Sequence, residues 1–210
     1  MTSVAIIDYR LCNLDSIARA LEECGGKPIV TQDPRDLGRV DRIILPGVGS
    51  FGAAMANLRD AGFDRALPDA VLGEKLPLLG ICLGMQLLAE RGTEHGDHAG
   101  LGLLHGTVTK LRPPPRTGNG PPTERVPHIG WNDVTPVGSS PLWDGLAPGT
   151  DFYFVHSYRL ESPADEILGT TDCCGATVAS AGRDNIMAVQ FHPEKSQVAG
   201  FRLLKNFLAF

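Results

Sequence analysis

No stretch of this 210-residue chain approaches the roughly 18 consecutive apolar residues that a membrane-spanning helix requires. The opening Met1-Thr-Ser-Val-Ala-Ile-Ile-Asp8 lacks the basic segment and long apolar core of an export leader. A soluble, cytoplasmic protein is therefore expected. Cysteine is scarce: Cys12, Cys24, Cys82, Cys173 and Cys174 make an odd set of five, with no C-x-x-C and no metal-ligand spacing. That pattern excludes a disulfide framework and predicts neither a metal site nor any other cofactor, in keeping with a reducing compartment. Basic charge is also short, 19 Lys and Arg against 24 Asp and Glu for a net charge of −5, and it forms no stripe. Nucleic acid and membrane surfaces are thus excluded as expected partners. With no internal repeat and no linker, residues 1–210 read as one domain, a length that can bury about 70% of its unfolded surface.

What is present is alternation. Val4–Asp8 and Arg42–Leu45 are short apolar runs of the kind that fill a central parallel strand, with a further strand near Pro28–Thr31. Asn13 is placed to cap a helix whose apolar positions are Leu14, Ile17, Ala18 and Leu21, ending at Gly25-Gly26. Further helices are expected around Phe51–Arg59 and Phe63–Leu72. A fourth strand, from Leu78, runs into a helix ending near Glu90 and completes a third strand-to-helix unit. The fold class is therefore α/β, an open, mostly parallel sheet with flanking helices. After Glu90 the texture changes. Gly100–Leu111, His128–Val134, Phe152–Tyr158, Ile167–Thr171, Val178–Ala181 and Ile186–Phe191 read as strands joined by turns, so part of the sheet in the second half should be antiparallel. Residues 112–125, rich in Pro and Gly, read as a surface loop. Ser196 is placed to cap a closing helix with Val198, Phe201, Leu204 and Leu208 on one face.

Gly80-Ile-Cys-Leu-Gly84 joins the strand from Leu78 to its helix, with a glycine two residues before and two after a cysteine. This is the spacing of a nucleophile elbow. In so tight a turn, side chains two positions away would block either the turn or the substrate. At the helix start, Cys82 gains from the peptide dipoles and the free N–H groups nearby. A lone cysteine is more often a core residue, and the glycine bracket reverses that preference. His192-Pro193-Glu194 follows the last strand, where an open α/β sheet places its ligands. His192 can serve as the base and Glu194 can fold back to orient it. Leu83 N–H is one oxyanion donor, and the loop Gly47-Val48-Gly49 offers a second through Val48 or Gly49, although a plain turn would look the same.

Gly80-Ile-Cys-Leu-Gly-Met-Gln86 together with His192-Pro-Glu194 resembles the class I, or triad, glutamine amidotransferases, whose fold is flavodoxin-like. Pro46–Phe51, Pro127–Asn132, Tyr153–Tyr158 and Phe191–Ser196 are similar to the glutaminase subunits of imidazole glycerol phosphate synthase, and the resemblance spans essentially the whole chain. It implies Cys82 as nucleophile, His192 as base and acid and Glu194 as orienting carboxylate, with Gly49, Gln86, Glu94, Ser157 and Tyr158 holding glutamine. It further implies that the ammonia passes to a (β/α)8 barrel cyclase subunit faced by Asn13, Trp131, Tyr153, His156 and Lys195, within histidine biosynthesis. From the residues alone, Trp131 reads as core and Lys195 as a solvated charge. Other readings remain: a glutaminase of another synthase, a hydrolase of γ-glutamyl compounds, or a catalytically silent binding module. One departure stands out. Where such subunits read Asp-Tyr-Gly-x-Gly-Asn-Leu, this chain has Asp8-Tyr-Arg-Leu-Cys-Asn-Leu14, and a positive φ at either replaced glycine would carry a cost.

Overall fold

A computed structural model describes residues 1–113 and 126–210. The loop expected at 112–125 lies, from residue 114 onward, outside the described residues. The first half alternates as expected, through β1 (Ser3–Ile7), α1 (Leu14–Glu23), β2 (Lys27–Thr31), β3 (Arg42–Leu45), α2 (Phe51–Asp60), α3 (Phe63–Pro68), β4 (Leu78–Ile81) and α4 (Leu83–Leu87). Then come mostly strands: β5 (Arg91–Gly92), β6 (His98–Ala99), β7 (Thr107–Lys110), β8 (His128–Pro136), β9 (Thr150–His156), β10 (Tyr158–Glu161), β11 (Ile167–Asp172), β12 (Ala176–Arg183) and β13 (Ile186–Val189), before α5 (Gln197–Ala209).

The main sheet runs β2-β1-β3-β4-β13-β12-β11-β8-β9. From β2 to β13 every pairing is parallel; from β13 to β9 every pairing is antiparallel. A smaller sheet, β10-β7-β5-β6, stands apart. The central parallel strands β4 and β13 are apolar and buried at every position because both faces are covered, whereas the edge strand β2 is only partly buried. One core cluster lies over the face shared by Ile7, Leu45, Phe51 and Met85. The other lies over Ile6, Ile81, Phe191 and the α5 residues Leu203, Leu204 and Phe207. Both β4 and β13 end at the same rim, paired Val189 to Ile81, so Cys82 and the segment leading to His192 leave the sheet side by side.

Several expectations need correction. Asn13 occupies the position before α1 without making a capping bond, its Oδ1 accepting instead from Ser16 Oγ at 3.5 Å. Ser196 likewise makes no capping bond to α5. Its hydroxyl accepts from Tyr153 N–H and donates to the His192 carbonyl, a stronger use of a buried oxygen than a helix end exposed to water. On α5 the buried face is Gly200, Leu203, Leu204 and Phe207, and Val198 is 83% exposed. The run Phe152–Tyr158 is divided at Ser157 between β9 and β10. Among the described residues no helix is long and apolar enough to cross a membrane.

Candidate active site

Cys82 sits at φ 54°, ψ −111° between β4 and α4, a conformation that costs on the order of 1–3 kcal/mol in a non-glycine residue. Both bracketing glycines are needed to hold it. A Cβ on Gly84 would lie 1.8 Å from the Leu45 carbonyl oxygen at the end of β3, and one on Gly80 would press on the Met85 backbone at 3.0 Å. The glycines therefore make room for backbone, and the substrate side is a secondary matter. Helix α4 is shorter than the sequence pattern suggests, only Leu83–Leu87. Its dipole is small, and the local contribution is the Leu83 N–H, which has no acceptor within its helix.

His192 is buried, and its Nδ1 lies 2.8 Å from Glu194 Oε1, also buried. That contact places the ring proton on Nδ1 and turns Nε2 toward Cys82. Among the described residues Nε2 finds no partner at hydrogen-bonding geometry, nor does Glu194 Oε2. The sulfur nevertheless acts on the ring: burial lowers the pKa of His192, but Cys82 and Glu194 together outweigh burial and raise it to about 9. The imidazole is thus protonated at neutral pH. Its backbone is clamped as well, His192 N–H donating to the Tyr153 carbonyl at 2.9 Å.

These groups open into a cavity of about 360 Å³. Every residue expected to hold glutamine lines it, namely Gly49, Gln86, Glu94, Ser157 and Tyr158, together with Val48, Leu83, Cys82 and His192. Pro127 and Val155 also line it; both lie inside segments that carry the resemblance, Pro127–Asn132 and Tyr153–Tyr158, but neither had been given a role of its own. Glu94 has a second task. Its Oε2 accepts from Phe51 N–H at 2.7 Å, taking the capping role at α2 that the Ser50 side chain leaves vacant.

The loop after β3 is held away from the site. Val48 N–H donates to the Leu11 carbonyl at 2.8 Å, and Tyr9 OH donates to the Pro46 carbonyl at 2.7 Å. Gly49 has φ 106°. Of the N–H groups expected as oxyanion donors, that of Val48 is thus engaged by Leu11. Arg10, one of the two replaced glycines, has φ 71°, while Cys12 is not in the left-handed region. The strain at Arg10 is partly offset by its N–H, which donates to Asp8 Oδ1 at 2.9 Å.

Of the residues expected to face a partner, Asn13 and Lys195 are exposed and Trp131 is 49% exposed, not core. Trp131 meets Tyr153 edge to face at 6.0 Å, and Lys195 Nζ lies 5.8 Å from the Tyr153 ring. His156 is a correction. It is buried, lines the cavity and bonds inward to His128 and the Tyr158 carbonyl, because β9 alternates and His156 shares the inner face with Phe152 and Phe154.

Known proteins are similar to this chain along essentially its whole length. The family described as glutamine amidotransferase class-I matches residues 5–209. The HisH 1 subunit of imidazole glycerol phosphate synthase from Campylobacter jejuni strain RM1221 is 43% identical over 98% of this chain and 98% of its own length. The HisH subunit from Salinibacter ruber is 45% identical over 97% of this chain and 93% of its own. Among solved structures, PurLQS from Thermotoga maritima superposes with a TM-score of 0.76 over 100% of this chain and 99% of that one, at 19% identity, and a glutamine amidotransferase superposes with 0.74 over 98% and 97%, at 18% identity. At such identities these structures speak for the fold alone.

Proposed function

The chain belongs to the class I glutamine amidotransferases and, within them, to the HisH subunits of imidazole glycerol phosphate synthase, and on that premise we propose how its site hydrolyses glutamine and delivers the ammonia. Cys82 sulfur attacks the side-chain carboxamide carbon. The oxyanion that forms is received by Leu83 N–H and by Val48 N–H once the latter has turned inward. His192 gives its Nε2 proton to the departing nitrogen, ammonia leaves and a thioester remains. A water molecule, deprotonated by His192, then attacks the thioester and releases glutamate. Glu194 keeps the imidazole in one orientation throughout and offsets its positive charge.

Gly49, Gln86, Glu94, Ser157 and Tyr158 hold glutamine in this reading, Glu94 being the carboxylate suited to the substrate's ammonium. The ammonia passes to a (β/α)8 barrel cyclase subunit that forms imidazole glycerol phosphate and aminoimidazole carboxamide ribotide. That partner docks over Asn13, Trp131, Tyr153 and Lys195. The observation that carries the proposal is the buried Glu194–His192 pair opening, with Cys82, into one cavity.

The Val48–Leu11 bond supports a dependence on the partner. The loss of one oxyanion donor typically costs about 10² to 10³ in rate, so the subunit alone should be slower by about that factor. The test is glutamate release from glutamine with and without the barrel subunit and its nucleotide. Partner and nucleotide should stimulate release by at least about 10², and Cys82→Ala should abolish it. Robust turnover by Cys82→Ala, or full activity of the isolated chain, would overturn the reading.

A further inference from the structure

We infer that Gln190, through its side-chain amide, is a hydrogen-bond donor to the Cys82 sulfur when it reacts as a thiolate, beside the His192 imidazolium, and that a chain of neutral hydrogen bonds reaching His156 and His128 aims it. This rests on Cys82 being the nucleophile, as proposed above. Gln190 is fully buried, just beyond the end of β13. Its Nε2 lies 3.7 Å from Cys82 Sγ, and the Val155 carbonyl lies 3.9 Å from the same sulfur. As a thiol, Sγ–H donates weakly to Val155; as a thiolate it accepts from Gln190 and faces the His192 imidazolium.

The direction of the Gln190 amide follows from one group. The Tyr158 carbonyl can only accept, and it has two donors, His156 Nδ1 at 2.8 Å and Gln86 Nε2 at 3.0 Å. Gln86 Nε2 spends its other hydrogen on Gln190 Oε1 at 2.9 Å. The oxygen of Gln190 is thereby turned toward Gln86, which leaves its NH2 toward the sulfur. Gln86 has no hydrogen left for glutamine and presents only its oxygen, an acceptor for the substrate's N–H groups.

The other arm is equally determined. With Nδ1–H given to Tyr158, a neutral His156 has a bare Nε2, which accepts from His128 Nδ1 at 2.9 Å. His128 Nε2 in turn accepts from Asn132 Nδ2 at 3.2 Å, and the same amide nitrogen donates to the Asp172 carbonyl at 3.1 Å. Burial lowers the pKa of both histidines, His156 to about 4, so the neutral pattern holds at physiological pH. His156 and His128 are positioning residues in this scheme: they act through Tyr158 and Gln86 on Gln190. The far end lies beside Trp131, so the chain spans from the face proposed for the partner to the reactive sulfur.

The experiment reads the thiol without requiring turnover. Alkylation of Cys82 by iodoacetamide is followed by peptide mass spectrometry across a pH series, on the full chain, for Gln190→Leu and Gln190→Glu. Loss of a hydrogen bond to a charged atom should slow alkylation at pH 7 by roughly tenfold or more and displace the profile to higher pH. Gln190→Glu, the closer isostere, should be slower than Gln190→Leu, because it sets an acceptor against the sulfur. A residue that only fills space would give the reverse order, and that order or an unmoved profile overturns the inference. Should Gln190→Leu fail to fold by its melting transition, Gln190→Met takes its place. For the relay, His156→Ala should slow alkylation several-fold in the native background and hardly at all in Gln190→Leu, whereas simple additivity would remove the histidines from the scheme. Normal alkylation with no glutamine turnover would count against the glutaminase reading and not against this one.

Discussion

At the scale of single residues the site is governed by one imidazole. Burial by itself would keep His192 neutral, yet Cys82 and Glu194 raise it to about 9, so at pH 7 the ring already carries the proton that departing ammonia needs. Above pH 9 that proton is lost, and acylation should fall along an alkaline limb. In Glu194→Gln the neutral amide no longer supports the charge and Cys82 alone is left to oppose burial. The limb should therefore move to lower pH, with kcat/KM reduced on the order of 10². A pH profile of kcat/KM checks both, and an alkaline limb that stays in place would mean another group titrates there. Cys82, its two glycines, His192 and Glu194 were legible in the sequence because steric necessity and short-range geometry bind each to its neighbours. Gln190 was not. Its role depends on Gln86, 104 positions away, and a glutamine in an apolar strand carries no local signature of what it touches.

At the scale of elements, the loop between β1 and α1 has two consequences. Its Leu11 carbonyl occupies the Val48 N–H, so the donor proposed for the oxyanion is controlled from a different loop. It also carries a side chain where the backbone favours none: Arg10 at φ 71°. Left-handed backbone costs an ordinary residue roughly 1–2 kcal/mol, and glycine returns part of that gain as chain entropy. Arg10→Gly should accordingly stabilise the protein by about 0.5–1 kcal/mol, seen as a higher urea midpoint at unchanged slope. A lower midpoint would show that the Arg10 side chain contributes more than its backbone loses. The parallel strands were read nearly to the residue, since burial on both faces leaves an uninterrupted apolar run. The second half was read less well. Strands exposed on one face alternate, and the same alternation does not say that Ser157 divides β9 from β10 or that His156 turns inward; those follow from pairing with β8 and β7.

At the scale of the whole molecule, the buried histidines set opposite slopes of stability against pH. His156 is depressed to about 4 and His128 is lowered as well, from an ordinary value near 6.5. Between those values the unfolded chain binds protons that the folded chain refuses. Their contribution is therefore complete above about pH 6.5 and is lost as the pH falls toward 4, by about 3 kcal/mol for His156. His192 is raised, so its contribution is complete below about 6.5 and is lost as the pH rises through 9. Calorimetric melting should peak between these limbs, and His156→Asn should flatten the acid one; a melting temperature that keeps rising below pH 6 would contradict the assignment. The chain by itself determined the elbow, the residues proposed as the triad, the apolar strands and the family, because each depends on sterics, spacing or composition within a few residues. Only the tertiary structure decided that Val48 is withheld by Leu11, that Glu94 caps α2, that Trp131 lies on the surface and His156 beneath it, and that Gln190 meets the sulfur. Those are contacts between segments far apart in the chain, brought together when the sheet closes its register.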